Sequence, residues 1–152
     1  MVRKIIVTTD FSECGNQAVP YAIELARQMK ADLFVVTIIE HEKHESSYFI
    51  DWKPLADPEN EKKAKNEATA RLRKLIPGEL PEGVKVTAKA RVDENAVKGV
   101  QDLIDEIGAD LLIISSHGLR GFERFLLGST AERILRSVDC PVLMIKVRGD
   151  KE

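Results

Sequence analysis

Apolar, β-branched runs alternate with amphipathic stretches along the chain, and this alternation restricts the fold more than any other feature. Residues 4–9 (KIIVTT), 33–40 (LFVVTIIE), 110–115 (DLLIIS) and 141–147 are short and rich in Val, Ile and Leu, and residues 84–92 alternate Val84, Val86, Ala88, Ala90 and Val92. Segments of this length and composition read as strands. Between them apolar residues recur at helical spacing. The four sets are Ala18, Ala22, Leu25, Ala26 and Met29; Ala64, Ala68, Leu72 and Leu75; Val97, Val100, Leu103, Ile104 and Ile107; and Ala131, Ile134, Leu135 and Val138. These are four amphipathic helices. The order βαβαβαβαβ needs helical crossovers, so it predicts an α/β fold with a five-stranded parallel sheet and helices on both faces.

Punctuation residues refine the boundaries. Gly108 follows Ile107 as a helix-ending glycine, and Pro77-Gly78 closes the second helix. Pro20 conflicts with a helix starting at Ser12, because an interior proline loses a hydrogen bond and clashes. Either the regular helix begins near Asn16, with Pro20 in its first turn, or it is kinked. Residues 41–58 break the rhythm; they hold His41, His44, Pro54, Pro58 and the aromatic cluster Tyr48, Phe49 and Trp52. That cluster reads either as a lid or partner contact, or as the anchor of a long loop on its own domain.

A length of 152 residues suits one domain, spanning 1–148 with an insertion at 41–58 and a tail at 149–152. Hydrophobic residues at 43% are too many for intrinsic disorder, and a net charge of −2 offers no general attraction to nucleic acid or an anionic membrane. Neither is expected as a partner. The first apolar segment is too short for a secretory signal and runs into Asp10, which points to a cytoplasmic protein. Cys14 and Cys140 form no metal or disulfide framework and read as free, small apolar residues.

In open α/β sheets ligands sit outside the C-terminal ends of the strands, where strand order switches. The candidate site is therefore built from residues 8–12 with Thr8, Thr9 and Asp10, from 38–40 with Ile38, and from 115–130. The last loop carries Ser115, Ser116, His117, Gly118, Leu119, Arg120 and Gly121, then Gly128, Ser129, Thr130 and Ala131 at a helix start. Glycines and an uncapped helix start present N–H groups to a phosphate. Against that, Ser129 and Glu132 match an S-x-x-E capping box, which accounts for the helix start without any ligand. Asp10 could accept ribose hydroxyls or hold a phosphate-bound Mg²⁺, or it could simply terminate its strand. His117 is the sole candidate for positioning a water, Arg120 and Arg124 flank the loop, and His41 and His44 lack a third metal ligand.

The chain resembles the universal stress protein family. The resemblance is carried by KIIVTTDFS at residues 4–12, by GADLLIISSHG at 108–118, and most specifically by LLGSTAERIL at 126–135 with CPVLMIK at 140–146. It covers essentially the whole chain and is weakest over 41–60. It implies a Rossmann-like sheet of order 3-2-1-4-5, of the adenine nucleotide alpha hydrolase-like kind. It also implies a homodimer joined through the last strand, from Pro141 to Val147. ATP-binding members carry G-x₂-G-x₉-G-[ST]; here Gly118, Gly128 and Ser129 keep the spacing while Ser115 replaces the first glycine. By the same match Asp10 would lie by the ribose or a Mg or Mn ion, and Ile38 would meet adenine through its backbone. Residues 115–121 and 129–131 would hold ribose and phosphates. Thr8 stands where the pattern often has proline or alanine. The expectation is an ATP-binding dimeric stress-response module that acts by binding rather than catalysis. The alternatives are a nucleotide-free interaction dimer and a slow metal-dependent ATPase.

Overall fold

The computed structural model describes residues 1–41, 57–116 and 128–146. The elements are β1 (Lys4–Thr8), α1 (Glu13–Asn16), α2 (Ala18–Met29), β2 (Asp32–Glu40), α3 (Pro58–Lys74), β3 (Val86–Asp93), α4 (Ala96–Ile107), β4 (Leu111–Ser115), α5 (Ser129–Ser137) and β5 (Val142–Ile145). The five strands form one sheet of order β3-β2-β1-β4-β5, and every pairing is parallel. The strand order switches direction at β1, between β2 and β4.

Successive side chains of a strand point to opposite faces, and the core divides accordingly. Ile5, Val7, Leu33, Val35, Leu111 and Ile113 pack with the Ala18, Val19, Ala22, Ile23 and Ala26 stripe of α2 and with Leu72 of α3. Ile6, Val36, Leu112 and Ile114 pack with Val100, Leu103 and Ile107 of α4 and with Ala131 and Ile134 of α5. Burying each of the larger side chains is worth about 1.5–3 kcal/mol.

The centre of the sheet is also tied at its entry. Asp110 Oδ2 accepts from the Arg3 and Lys4 N–H groups at 2.9 and 3.0 Å, and Asp110 N donates to Lys4 O at 2.8 Å. The two N–H donors hold the Asp110 carboxyl below the usual carboxylate range.

Local signals explain the element ends. α3 starts at Pro58 behind Asp57, whose side chain accepts from Glu59 N, and α4 starts behind Asn95, whose side chain accepts from Lys98 N. Gly108 closes α4 at φ +74, a region that favours glycine. Pro141 precedes β5 and enters the ladder only through its carbonyl, which accepts from Leu112 N at 2.9 Å.

The first helix resolves the Pro20 conflict. Ser12 starts a separate four-residue turn, α1, and α2 begins anew at Ala18, leaving Pro20 in its first turn where a missing N–H costs little. The buried stripe of α2 differs from the expected one: Val19 and Ile23 are inside, while Met29 is exposed. Leu135 is likewise exposed, because the inward stripe of α5 runs through Ala131, Ile134 and Val138 and Leu135 lies off it. Cys14 is buried and Cys140 partly buried, neither in a disulfide, and burial pushes the Cys140 thiol up. Among the described residues no helix is long and apolar enough to cross a membrane.

Candidate functional site

The candidate residues converge because the strand registers align them. Thr8 pairs with Val36 and Val7 with Ile113. Carried on along the strands, these registers set Asp10 level with Ile38 on one side and with Ser116 on the other. Thr9 N donates to Val36 O at 3.0 Å, after which the chain turns away at Phe11. In a parallel strand alternate residues direct both backbone groups to the same neighbour. Ile38 therefore directs its N–H and C=O to the β1 side, at the level where β1 has already left the sheet. Its side chain leaves the plane of the sheet, onto Gly99 of α4, where an added Cβ would lie 2.6 Å from Ile38 Cγ2.

The turn after β1 is tightly bonded. Thr9 Oγ1 donates to Asn16 Oδ1 at 2.7 Å and accepts from Phe11 N at 3.0 Å. Asp10 Oδ1 accepts from Ser12 N at 2.9 Å and from Ser12 Oγ at 2.5 Å, and Ser12 Oγ accepts from Gly15 N at 2.9 Å. Phe11 sits at φ +66, a strained value for a residue with a Cβ, and the Arg71 guanidinium of α3 lies 4.2 Å from its ring centroid. Thr9 is buried and turned toward Asn16, so its side chain serves the turn.

On the β4 side, Ser116 N donates to Ile145 O and Gly128 N donates to Ser116 O, both at 2.9 Å. The second bond brings the start of α5 back to the end of β4. The expected capping box is not formed. Gly128, with no side chain, is the N-cap; Ser129 is the first helical residue; and Glu132 pairs with Arg136 at 2.8 Å. The N-cap residue thus gives the helix start no side-chain cap. Ser129 and Thr130 are exposed, while Ala131 turns its side chain into the core and offers only its backbone. Ser115 ends β4 in register with Ile145. His117, Gly118, Leu119, Arg120 and Gly121, with Arg124, His44, Val147 and the Tyr48, Phe49 and Trp52 cluster, lie outside the described residues. Among the described residues no three His, Cys, Asp or Glu side chains converge on a metal position.

Residues 1–146 match the family model of the Universal stress protein family. The chain belongs to the universal stress protein family. It is 26% identical to the Universal stress protein MJ0531 of Methanocaldococcus jannaschii, over 96% of this chain and 83% of that one. Among solved structures it is similar to the hypothetical protein MJ0577, with a TM-score of 0.76, 25% identity and 99% coverage of both chains. It also shares the fold of a universal stress protein in complex with cAMP (TM-score 0.61, 23% identity, 95% and 97% coverage). The same holds for the universal stress protein of Archaeoglobus fulgidus in complex with dAMP (TM-score 0.57, 20% identity, 96% and 98% coverage).

Within this universal stress protein fold, sequence reasoning placed Asp10, Ile38 and Ser116 at the strand ends and Gly128 at a helix start, and it missed Gly15, Asn16 and Gly99. A Cβ at Gly15 would lie 2.6 Å from Asp10 Oδ1, 3.0 Å from Ser12 Oγ and 3.1 Å from Thr9 Oγ1. The available signal was at Gly99, an isolated glycine within a helical stretch, which costs about 1 kcal/mol against alanine.

Proposed function

We propose that this universal stress protein binds ATP, with Mg or Mn on the phosphates, in the crevice between the ends of β1, β2 and β4 and the start of α5. It acts by binding rather than catalysis. One observation carries the reading: the Gly128–Ser116 hydrogen bond sets the N-terminus of a nine-residue helix, whose N-cap residue has no side chain, at the switch point of the sheet. The backbone of Ile38 offers a donor and an acceptor suited to an adenine edge, and Asp10 offers an acceptor for ribose or a phosphate-borne metal. The cAMP and dAMP complexes of proteins with the same fold support the choice of an adenine nucleotide. The glycine spacing through Gly118 supports a polyphosphate.

Calorimetric titration with ATP and Mg²⁺ tests the proposal, with Gly128→Asp as the control. Gly128 has φ −57 and ψ 144, which an aspartate adopts readily, and aspartate is a good N-cap. This variant should keep the stability of the protein while repelling phosphate. Binding by the native chain and its loss in Gly128→Asp is the expected result; no binding at millimolar ATP overturns the reading.

A homodimer through β5 in the cytoplasm completes the proposal. β5 is an outer strand and Leu143 on it is exposed. Light scattering at micromolar concentration should give twice the chain mass. Ser115, in place of the motif's first glycine, favours a second reading, a nucleotide-free interaction dimer. Dimeric mass without nucleotide binding is its signature.

A further inference from the structure

The turn after β1 contains a contact that the proposed nucleotide site does not itself explain. Gly15 does not occupy a left-handed conformation, so its backbone would accept alanine, and alanine is the better helix former. What excludes a side chain there is the Asp10 carboxylate, 2.6 Å from where the Cβ would be. The same glycine gives its N–H to Ser12 Oγ, and Ser12 in turn gives both Oγ–H and N–H to Asp10 Oδ1. One carboxylate oxygen is thus fixed by two donors, and the space behind it is kept open by the lack of a side chain.

We infer that Ser12 and Gly15 are positioning residues that set the Asp10 carboxylate for an adenine nucleotide, Ser12 by holding Oδ1 and Gly15 by leaving room for it. The inference rests on the proposed nucleotide binding. Neither residue needs to touch the ligand; both act through Asp10. A capping role alone would explain the Gly15 N–Ser12 Oγ bond. It would not explain why Ser12 turns its own proton to Asp10, or why the neighbouring position has no Cβ.

The test is ATP titration with Mg²⁺ of the native chain, Ser12→Ala, Ser12→Thr, Gly15→Ala and Asp10→Asn, and of Ser12→Ala and Gly15→Ala each combined with Asp10→Asn. Loss of a charge-assisted hydrogen bond corresponds to about a tenfold weaker affinity. Ser12→Ala and Gly15→Ala should each weaken ATP binding about tenfold, and Ser12→Thr, which keeps the hydroxyl, should restore most of it. In the Asp10→Asn background neither change should weaken binding further. Urea denaturation of each variant separates folding from binding. Native-like affinity in folded Gly15→Ala, or losses that persist undiminished in the Asp10→Asn background, overturns the positioning role while nucleotide binding stands. Failure of the native chain to bind ATP overturns the proposed function, and the positioning role falls with it.

Discussion

Gly99 and Asp93 show how single residues govern the site end of the sheet. At Gly99 an alanine would add about 1 kcal/mol of helix propensity, yet its Cβ would stand 2.6, 2.8 and 3.0 Å from three carbons of Ile38. Ile38 is β-branched and cannot swing aside, and overpacking costs about 1–3 kcal/mol. Gly99→Ala should therefore lose about 1 kcal/mol of stability by urea denaturation. It should also weaken ATP binding, since it pushes on β2 where its backbone faces the crevice. Asp93, at the end of β3, is buried. Burial pushes its carboxyl up, but the Glu94 N–H and the Arg91 guanidinium outweigh this, and it is held below the usual range. Arg91 continues to Asp102 and Glu106 of α4, so the pair clamps that helix to the sheet edge. The folded carboxyl titrates below the unfolded value of about 3.9. Its contribution is therefore complete above about pH 4 and is lost as pH falls through the folded value. Asp93→Asn should flatten the decline of unfolding free energy below pH 4, measured by urea denaturation at a series of pH values.

Among the helices, α4 and α5 begin in contrasting ways. α4 has a side-chain cap, Asn95 to Lys98 N at 2.9 Å, whereas α5 begins at Gly128 with none. Asn95→Ala should cost about 1 kcal/mol, and Ser129→Ala, outside the cap position, should cost no more than a few tenths. Chemical denaturation without nucleotide compares them; a loss near 1 kcal/mol for Ser129→Ala would restore the capping box that the sequence suggested. β1, β2 and β4 were legible because their continuous apolar runs are largely buried on both faces, β3 because its apolar residues alternate, and α3 and α4 because Pro58 and Gly108 mark their ends. The stripe of α2 was less legible, since small alanines dominate it and the register of Val19 and Ile23 depends on α2 restarting after Gln17. The candidate site was legible where it follows from topology, as with Asp10 and Gly128. It was illegible at Gly15, which matters only because the turn folds Thr9, Asp10 and Ser12 back onto it, and at Gly99, which Ile38 approaches from a distant strand. The S-x-x-E pattern misled because Gly128, held by Ser116, takes the cap position first.

For the molecule as a whole, a ligand that binds only the folded state adds its binding free energy to the stability of the sheet. At a hundredfold excess over its dissociation constant ATP should add about 2.7 kcal/mol. For a chain of this size that corresponds to roughly 5–10 °C in melting temperature. Differential scanning fluorimetry should show this shift in the native chain and none in Gly128→Asp. The clip between Asp110 and the Arg3 and Lys4 backbone joins residues 107 and 106 positions apart. On the ribosome β1 emerges first and finds β2 early, but its other edge waits for β4, some hundred residues later. Until then the nascent sheet exposes an apolar, unpaired margin at Ile5, Ile6 and Val7. Closing the middle of the sheet therefore waits for β4, and this is an interval in which the chain exposes a margin that chaperone cover would protect.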